Sequence, residues 1–375
     1  MIRVMDKSSC CGCEACRNIC PQRCITMRED LEGFVYPEVD VEACVDCNLC
    51  EAVCPVLYPG ERRLPVEAFA ARTFDESVRT VSSSGGIFSC LAEQILDRGG
   101  VVFGARFDEK WRVVHDYAET QEAIVRFRGS KYVQSRIGDT YLQAERFLKA
   151  GREVLFTGTS CQIAGLKRFL RREYDNLLAV DVICHGVPSP KVWRRYLDDR
   201  TKGGTEKISS VSFRDKLWGW RDFSLKIACE HQLYRECFKV DPFFGLFLEN
   251  LILRPSCYFC LFKGGRSCSD MTLGDFWGIE QVHSWFDDNR GCSAVLVYDS
   301  AKRSLLDRAD IRKVTYDQVL AGNPAIERAV KPSINRDYLF GLLNRGRSVI
   351  DMHRLCFDSS FIQRLRRLVF RKLGV

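Results

Sequence analysis

Nowhere in this chain of 375 residues does an uncharged apolar run approach the ~18–20 residues that a membrane span needs. Nor does the sequence open with a charged segment followed by an apolar one, the mark of an export signal. Histidine is scarce, five in all, and there is neither an H-E-x-x-H run nor a Ser-His-Asp arrangement. No G-x-G-x-x-G or G-x-x-x-x-G-K-S/T follows a strand-like segment, which argues against a standard Rossmann or P-loop site. These absences predict a cytoplasmic protein that is not a zinc peptidase or a serine hydrolase. With 46% hydrophobic residues, the chain can fill two or three domain cores.

What is abundant is cysteine, 20 residues of it. Without an export signal, thiols held reduced are expected rather than disulfides. "CCGCEACRNICP" places Cys10, Cys13, Cys16 and Cys20 at C-x2-C-x2-C-x3-C ahead of Pro21. "CVDCNLCEAVCP" repeats the pattern 34 positions on, with Cys44, Cys47, Cys50 and Cys54 ahead of Pro55. Zinc knuckles lack the third cysteine in step and the closing Cys-Pro. The spacing is that of bacterial ferredoxins, in which the fourth cysteine of each run serves the other cluster. Cys10, Cys13, Cys16 and Cys54 are therefore assigned to one [4Fe–4S] cluster, and Cys44, Cys47, Cys50 and Cys20 to a second. Cys11 and Cys24 fall outside the frame and read as bystanders.

Residues 1–60 carry ten acidic and five basic side chains, which leaves the remainder at +12. An acidic wire on a basic body predicts docking of one on the other, and attraction of an acidic electron carrier to the body. Nucleic acid is a poorer explanation, because no matching motif accompanies the charge.

"VLYPGERRLP", from Val56 to Pro65, reads as a linker. After it, strand-like segments ("VEAFAAR", "VVFGARF") alternate with helical ones such as the Ile87, Leu91, Ile95, Leu96 stripe. "EVLFTGTSCQIAGLKRFL" and "NLLAVDVICHGVPSP" read as strand, turn, helix and as strand, turn. The alternation predicts α/β layers with sites at strand ends. Ser82, Ser83, Ser84, Gly85 and Gly86 lead into a helix and suit a phosphate, although a plain N-cap would look the same. A second cysteine set, Cys161, Cys184, Cys257 and Cys260, offers four thiolates to a metal. Zinc, a third cluster and buried free thiols all remain open on spacing, with Cys268 and Cys292 as substitutes. Cys90, Cys229, Cys237 and Cys356 read as core.

Together, "SSSGGIFSCLAEQIL", "FRGSKYVQS", "LFTGTSCQIAGLKRFL", "DVICHGVPSP", "FRDKLWGWR" and "RPSCYFCLFKGGRSCSDMTLGDFWGI" resemble the beta subunits of coenzyme F-420-reducing hydrogenases and dehydrogenases. That family includes reductases of chlorophyll precursors such as 7-hydroxymethyl chlorophyll a reductase. The resemblance implies an FAD beside a [4Fe–4S] cluster, and so tips the Cys161/Cys184/Cys257/Cys260 set toward iron–sulfur. It gives Ser82–Gly86 the FAD pyrophosphate and lets Arg128, Ser130, Lys131 and Tyr132 hold the flavin. Asp275 and Trp277 would line the flavin or substrate pocket, although Trp277 also reads as core and Arg128 and Lys131 as a solvated turn. His185 reads as a satisfied structural histidine beside the cluster loop.

The expected fold is an α+β ferredoxin-type domain over residues 1–58, a linker over 59–65, and an α/β flavin-binding body. The body divides into 66–150 and 151–345, followed by a basic amphipathic tail over 346–375. The implied function is an iron–sulfur flavoprotein oxidoreductase linking a two-electron partner at FAD, F-420 or an organic molecule, to one-electron carriers. Ferredoxin, another redox protein or a partner enzyme would complete the circuit. A self-contained ferredoxin-dependent reductase is the alternative, and would need an apolar pocket lined by residues such as Trp218, Trp220, Phe243 and Phe244. A non-catalytic redox-sensing or interaction protein is a further reading. In the tail, Ile362, Leu365, Val369 and Leu373 share one face with five basic residues nearby, which suits packing on the body or peripheral membrane contact.

Overall fold

The computed structural model describes residues 1–357, so the tail helix expected around Ile362–Leu373 lies outside the described residues. The front of the chain pairs two short strands, β1 (Ile25–Glu29) and β2 (Val35–Val39), antiparallel. Two one-turn helices, Ala15–Ile19 and Leu49–Ala52, stand beside them. The 34-residue repeat is visible in the backbone. Gly12 and Asp46 are left-handed at matching positions, and so are Glu14 and Asn48, each directly before a helix. Both cysteine loops thus turn in the same way.

The body holds β3 (Glu67–Thr73), β4 (Val101–Phe107), β5 (Val113–Ala118), β6 (Val154–Thr159) and β7 (Leu177–Val182). It continues with β8 (Ile208–Asp215), β9 (Ser224–Cys229), β10 (Leu233–Cys237), β11 (Met271–Asp275), β12 (Ser293–Val297) and β13 (Ala309–Val314). Eight strands form one mixed sheet in the order β13-β3-β12-β11-β7-β6-β4-β5, and β8, β9 and β10 form a small antiparallel one. Neighbours β4, β6, β7 and β11 are parallel, and β3 runs their way because two antiparallel pairings separate it from β11.

Alternation along the central strands decides what covers each face. Leu155, Leu178 and Val180 pack with Ile87, Leu91 and Ile95 of the helix Ile87–Asp97. Val154, Phe156, Leu177 and Ala179 point the other way, onto Ile163, Leu166 and Phe169 of the helix Ser160–Leu170. Strands buried on both faces read as continuous apolar runs, as these do. Cys11, Cys13, Ala15 and Val53 join this second core, so the cysteine-rich front is seated on the sheet's covering helix.

Charge holds the front in place. Glu14 accepts from Arg136 Nε at 3.0 Å and the backbone N–H of Ile137 at 3.1 Å. Glu32 takes both arms of Arg336, and Glu29 pairs with Arg194. Among the described residues the reverse polarity occurs once, Arg17 to Asp139 at 2.9 Å. The expected docking of acidic wire on basic body is thus realised. Even the linker is pinned: Arg62 pairs with Glu327, and the Arg63 N–H reaches the carbonyl of Gly264 at 3.0 Å.

Candidate functional site

The carboxyl ends of the five co-directional strands, Thr73, Phe107, Thr159, Val182 and Asp275, lie along one edge of the sheet. Open sheets bind ligands at such an edge, and the segments singled out from sequence collect there. Cys161 occupies the first turn of the helix Ser160–Leu170, whose start is fixed by a capping box between Thr159 and Gln162. That end of a helix favours a thiolate, yet the contact with Cys11 and burial together hold the Cys161 thiol well above its ordinary range. Cys184 follows β7, and Cys257 and Cys260 come from the turn Pro255–Phe259 and its end.

These four cysteines, distant in sequence, lie within electrostatic reach of one another. Burial, against the pull of Lys263 and with Cys161 and Cys260 adding to it, pushes the Cys184 thiol up to about 12. Burial likewise raises Cys257, with Cys184, Cys161 and Cys260 adding to it. The Val187 N–H donates to Cys257 Sγ at 3.4 Å. Four partly buried thiols that would repel one another as thiolates suit a cationic cluster core, which takes up that charge. Among the described residues no three His, Cys, Asp or Glu side chains close tightly enough on one point to hold a lone metal ion. A four-iron cluster takes its thiolates at its corners, farther apart than the ligands of one ion. Cys268 and Cys292 stand elsewhere: Cys268 against Gly60, and Cys292 beside Ser84.

In the front module, burial raises Cys16 and Cys54, and Cys10 lies within reach of both. Cys13 neighbours Cys16 and Cys54. The other quartet, Cys20, Cys44, Cys47 and Cys50, lines a single cavity, and the Ile2 N–H donates to Cys50 Sγ at 3.3 Å. Cys47 is the exposed member. The two cysteines outside the repeat are not bystanders. Cys24 Sγ lies 3.4 Å from Cys20 Sγ and lines the same cavity. Cys11 is buried with its thiol against both Cys13 and Cys161, joining the front module to the body's cysteine set. The repeat frame hid Cys11 because its partner is 150 residues away. Of the expected core cysteines, Cys90 and Cys356 are buried, whereas Cys229 and Cys237 are partly exposed on the small sheet.

The glycine–serine loop is drawn against the sheet. Gly85 donates its N–H to Ser293 Oγ at 3.0 Å, and a Cβ there would fall 2.3 Å from the carbonyl oxygen of Ala71. Gly86, at φ +85°, caps the helix Ile87–Asp97, whose first N–H groups have no partner within the helix. Ser82 is turned inward onto the Val78 carbonyl, and Ser84 onto that of Cys292. Ser83 Oγ accepts the Ser130 N–H at 2.6 Å, which brings the two expected flavin segments together. Arg128 is spent locally on Ser89 Oγ at 2.9 Å and Glu93 at 3.4 Å. Lys131 points its ammonium at the carbonyls of Arg126, Phe127, Arg128 and Gly129, each 3.0–3.1 Å away.

On the other side of that loop a second group is joined through one guanidinium. Arg214 forks onto Asp275 at 2.7 and 3.2 Å and donates to Tyr132 Oη at 3.1 Å. Asp275 also accepts Trp220 Nε1 at 2.7 Å, and Trp220 stacks on Trp277 with centroids 4.6 Å apart. Tyr132, Asp275 and Trp277 are thus brought together, while Arg214 and Trp220 carry no motif that marks them. Lys216 reaches back to the carbonyl of Ser84 at 2.9 Å and so ties the two groups. Phe243 and Phe244 do not line an open pocket. On their helix, Pro242–Leu248, both rings are buried against Trp193, Phe213 and Tyr132, and Trp218 is half exposed. His185 is satisfied by Asn250 at 2.7 Å, as expected.

His115 on β5 is buried, with Nε2 3.0 Å from the Thr157 carbonyl and Nδ1 unpartnered. Burial chiefly, and Lys131 secondarily, lower its pKa to about 4. An unfolded chain binds this proton near 6.5, so between those values unfolding takes up a proton and stability is lost as the pH is lowered. The contribution is about 2 kcal/mol by about pH 5. His115→Gln should therefore gain on the parent in urea midpoint between about pH 7.5 and about pH 5. A midpoint difference that does not change with pH would refute the assignment.

Two family models described as coenzyme F420 hydrogenase/dehydrogenase, beta subunit, match in succession: the one for its N-terminal part over residues 68–139, and the one for its C-terminal part over residues 151–318. A 4Fe-4S dicluster domain matches residues 9–57. Among solved structures, a chain of the xenon-derivatised F420-reducing [NiFe] hydrogenase complex from Methanosarcina barkeri is similar over 79% of this chain and 91% of its own. The sequence identity is 17% and the TM-score 0.47. No curated protein sequence matches.

Proposed function

As the chain belongs to the coenzyme F420 hydrogenase/dehydrogenase beta subunit family and carries a 4Fe-4S dicluster domain, we propose a three-cluster flavoprotein that passes electrons between a two-electron partner and one-electron carriers. The observation that carries this reading is the Cys11 contact, through which the front quartets run into Cys161 and the body's own set. The cysteine sites then form one line: exposed Cys47 and its quartet, then Cys10, Cys13, Cys16 and Cys54, then Cys161, Cys184, Cys257 and Cys260. The last set shares its sheet edge with Ser82–Gly86.

FAD would supply the conversion, since flavin takes a hydride and releases electrons singly. The chain's own residues supply the rest. The Ser82–Gly86 turn and the open N–H groups after it suit the pyrophosphate. Tyr132, Trp277 and the Arg214–Asp275 pair offer flat faces and fixed charge to a ring. The donor would be reduced F-420 or an organic molecule, and the carrier a ferredoxin, another redox protein or a partner enzyme, in the cytoplasm. No helix among the described residues is long and apolar enough to cross a membrane. The burial of Phe243 and Phe244 gives the self-contained reductase no specific support.

Anaerobic purification with iron, sulfide and flavin measured on one sample tests the reading. About twelve iron and one FAD per chain are expected. About eight iron with FAD would return Cys161, Cys184, Cys257 and Cys260 to zinc or structure, and eight iron without flavin would sink the proposal.

A further inference from the structure

Arg254 is fully buried, 0% exposed, directly ahead of the turn that carries Cys257 and Cys260. Its guanidinium donates from Nε to the Cys10 carbonyl at 2.8 Å and from Nη2 to the Val35 carbonyl at 3.0 Å. Nη1 donates to Gln134 Oε1 at 2.9 Å, and Nη2 also lies 3.7 Å from Cys10 Sγ. The group lies over the Tyr36 ring at 4.3 Å. Cys10, Tyr36, Cys11 and Cys257 lie within electrostatic reach of it. Among the described residues no carboxylate pairs with it, whereas Arg136, Arg214 and Arg336 each have one.

A fully buried cation without a counter-ion is strongly disfavoured. With the clusters bound, the anions within reach would be thiolates on two sides, Cys10 from the front module and Cys257 from the body. The backbone is shaped around the contact. Gly12, at φ +69°, leaves the room, and a Cβ there would stand 2.9 Å from Arg254 Nη1 and 2.7 Å from Gln134 Nε2. Gln134 in turn donates to the Cys11 carbonyl at 3.2 Å, holding the loop that reaches Cys161.

We infer that Arg254 sets the reduction potential of the cluster held by Cys10, Cys13, Cys16 and Cys54, making it the easier of the two ferredoxin-type clusters to reduce. The inference rests on the cluster assignment proposed above. A fixed positive charge beside one thiolate ligand favours the added electron there, and net charge and hydrogen bonding at the sulfurs are what tune such clusters. Among the described residues the second quartet has no arginine or lysine lining its cavity, whose only positive group is the terminal amine of Met1. Electrons from either end would thus settle at the junction between module and body.

The test is a redox titration of the full-length protein, followed by electron paramagnetic resonance, with iron counted on each sample. Arg254→Gln should lower the reduction equilibrium of the first cluster at least tenfold, about 59 mV for one electron, and leave the second unmoved. Gln134→Glu, which gives the guanidinium a carboxylate without removing it, should shift the same cluster in the same direction. Arg254→Lys keeps the charge and should stay near the parent. An Arg254→Gln protein with full iron and unshifted potential overturns the inference, as does a Lys variant that shifts as far as Gln. If Arg254→Gln loses iron, Gln134→Glu decides: a shift supports the inference and none overturns it. A parent without [4Fe–4S] signals fails the cluster assignment itself, before any variant is compared.

Discussion

Cys184→Ser should reduce iron from about twelve to about eight atoms per chain and leave both ferredoxin-type clusters intact. Cys184 is partly buried and shares its surroundings with Cys161, Cys257 and Cys260. Its loss leaves three thiolates and a hydroxyl, a poorer ligand, in a set whose only geometric reason to exist is shared. The functional consequence is a break in the line of cysteine sites. Dithionite should still reduce the front clusters at the parental rate. A two-electron donor should bleach the flavin while the cluster absorbance stays oxidised. Full iron in the variant, or clusters that still follow the donor, would remove the third set from the pathway.

The part of this architecture that sequence reveals is the part built from neighbours. The 34-residue repeat predicts both cysteine loops, and the backbone repeats with it, left-handed at Gly12 and Asp46 and again at Glu14 and Asn48. The strand, turn and helix reading of "EVLFTGTSCQIAGLKRFL" becomes β6 and the helix Ser160–Leu170. What pattern does not reveal is contact between distant segments. Cys11 looks superfluous until the fold sets it on Cys161, and nothing in the pattern marks Arg254 until Cys10 and Gln134 close over it. Phe243 and Phe244 resemble a pocket lining because aromatic residues suit both pockets and cores, and only packing separates the two. Charge composition was more informative. The excess of acid in residues 1–60 becomes Glu14, Glu29 and Glu32 on arginines of the body.

Asp275→Ala should destabilise the protein by about 3–5 kcal/mol, the usual cost of leaving a buried charge without its partner. Arg214 is 5% exposed, forks onto Asp275, and lies over the Phe223 ring at 4.0 Å, where no water can replace the carboxylate. The same substitution strips Trp220 Nε1 of its acceptor and so loosens the stack with Trp277. Arg214→Met alone should cost less, because a lone carboxylate can be protonated whereas a guanidinium cannot be neutralised. The double variant Arg214→Met/Asp275→Ala should be more stable than Asp275→Ala by roughly 1–3 kcal/mol, since removing both charges removes the unpaired one. Anaerobic urea unfolding followed by tryptophan fluorescence measures all three. Flavin content on the same samples separates fold from site: the double variant should keep its clusters yet bind FAD more weakly, because Tyr132 loses the donor at its hydroxyl. Strictly additive losses across the cycle would mean that the two residues do not act as a buried pair, and full flavin in the double variant would take this network out of the flavin site.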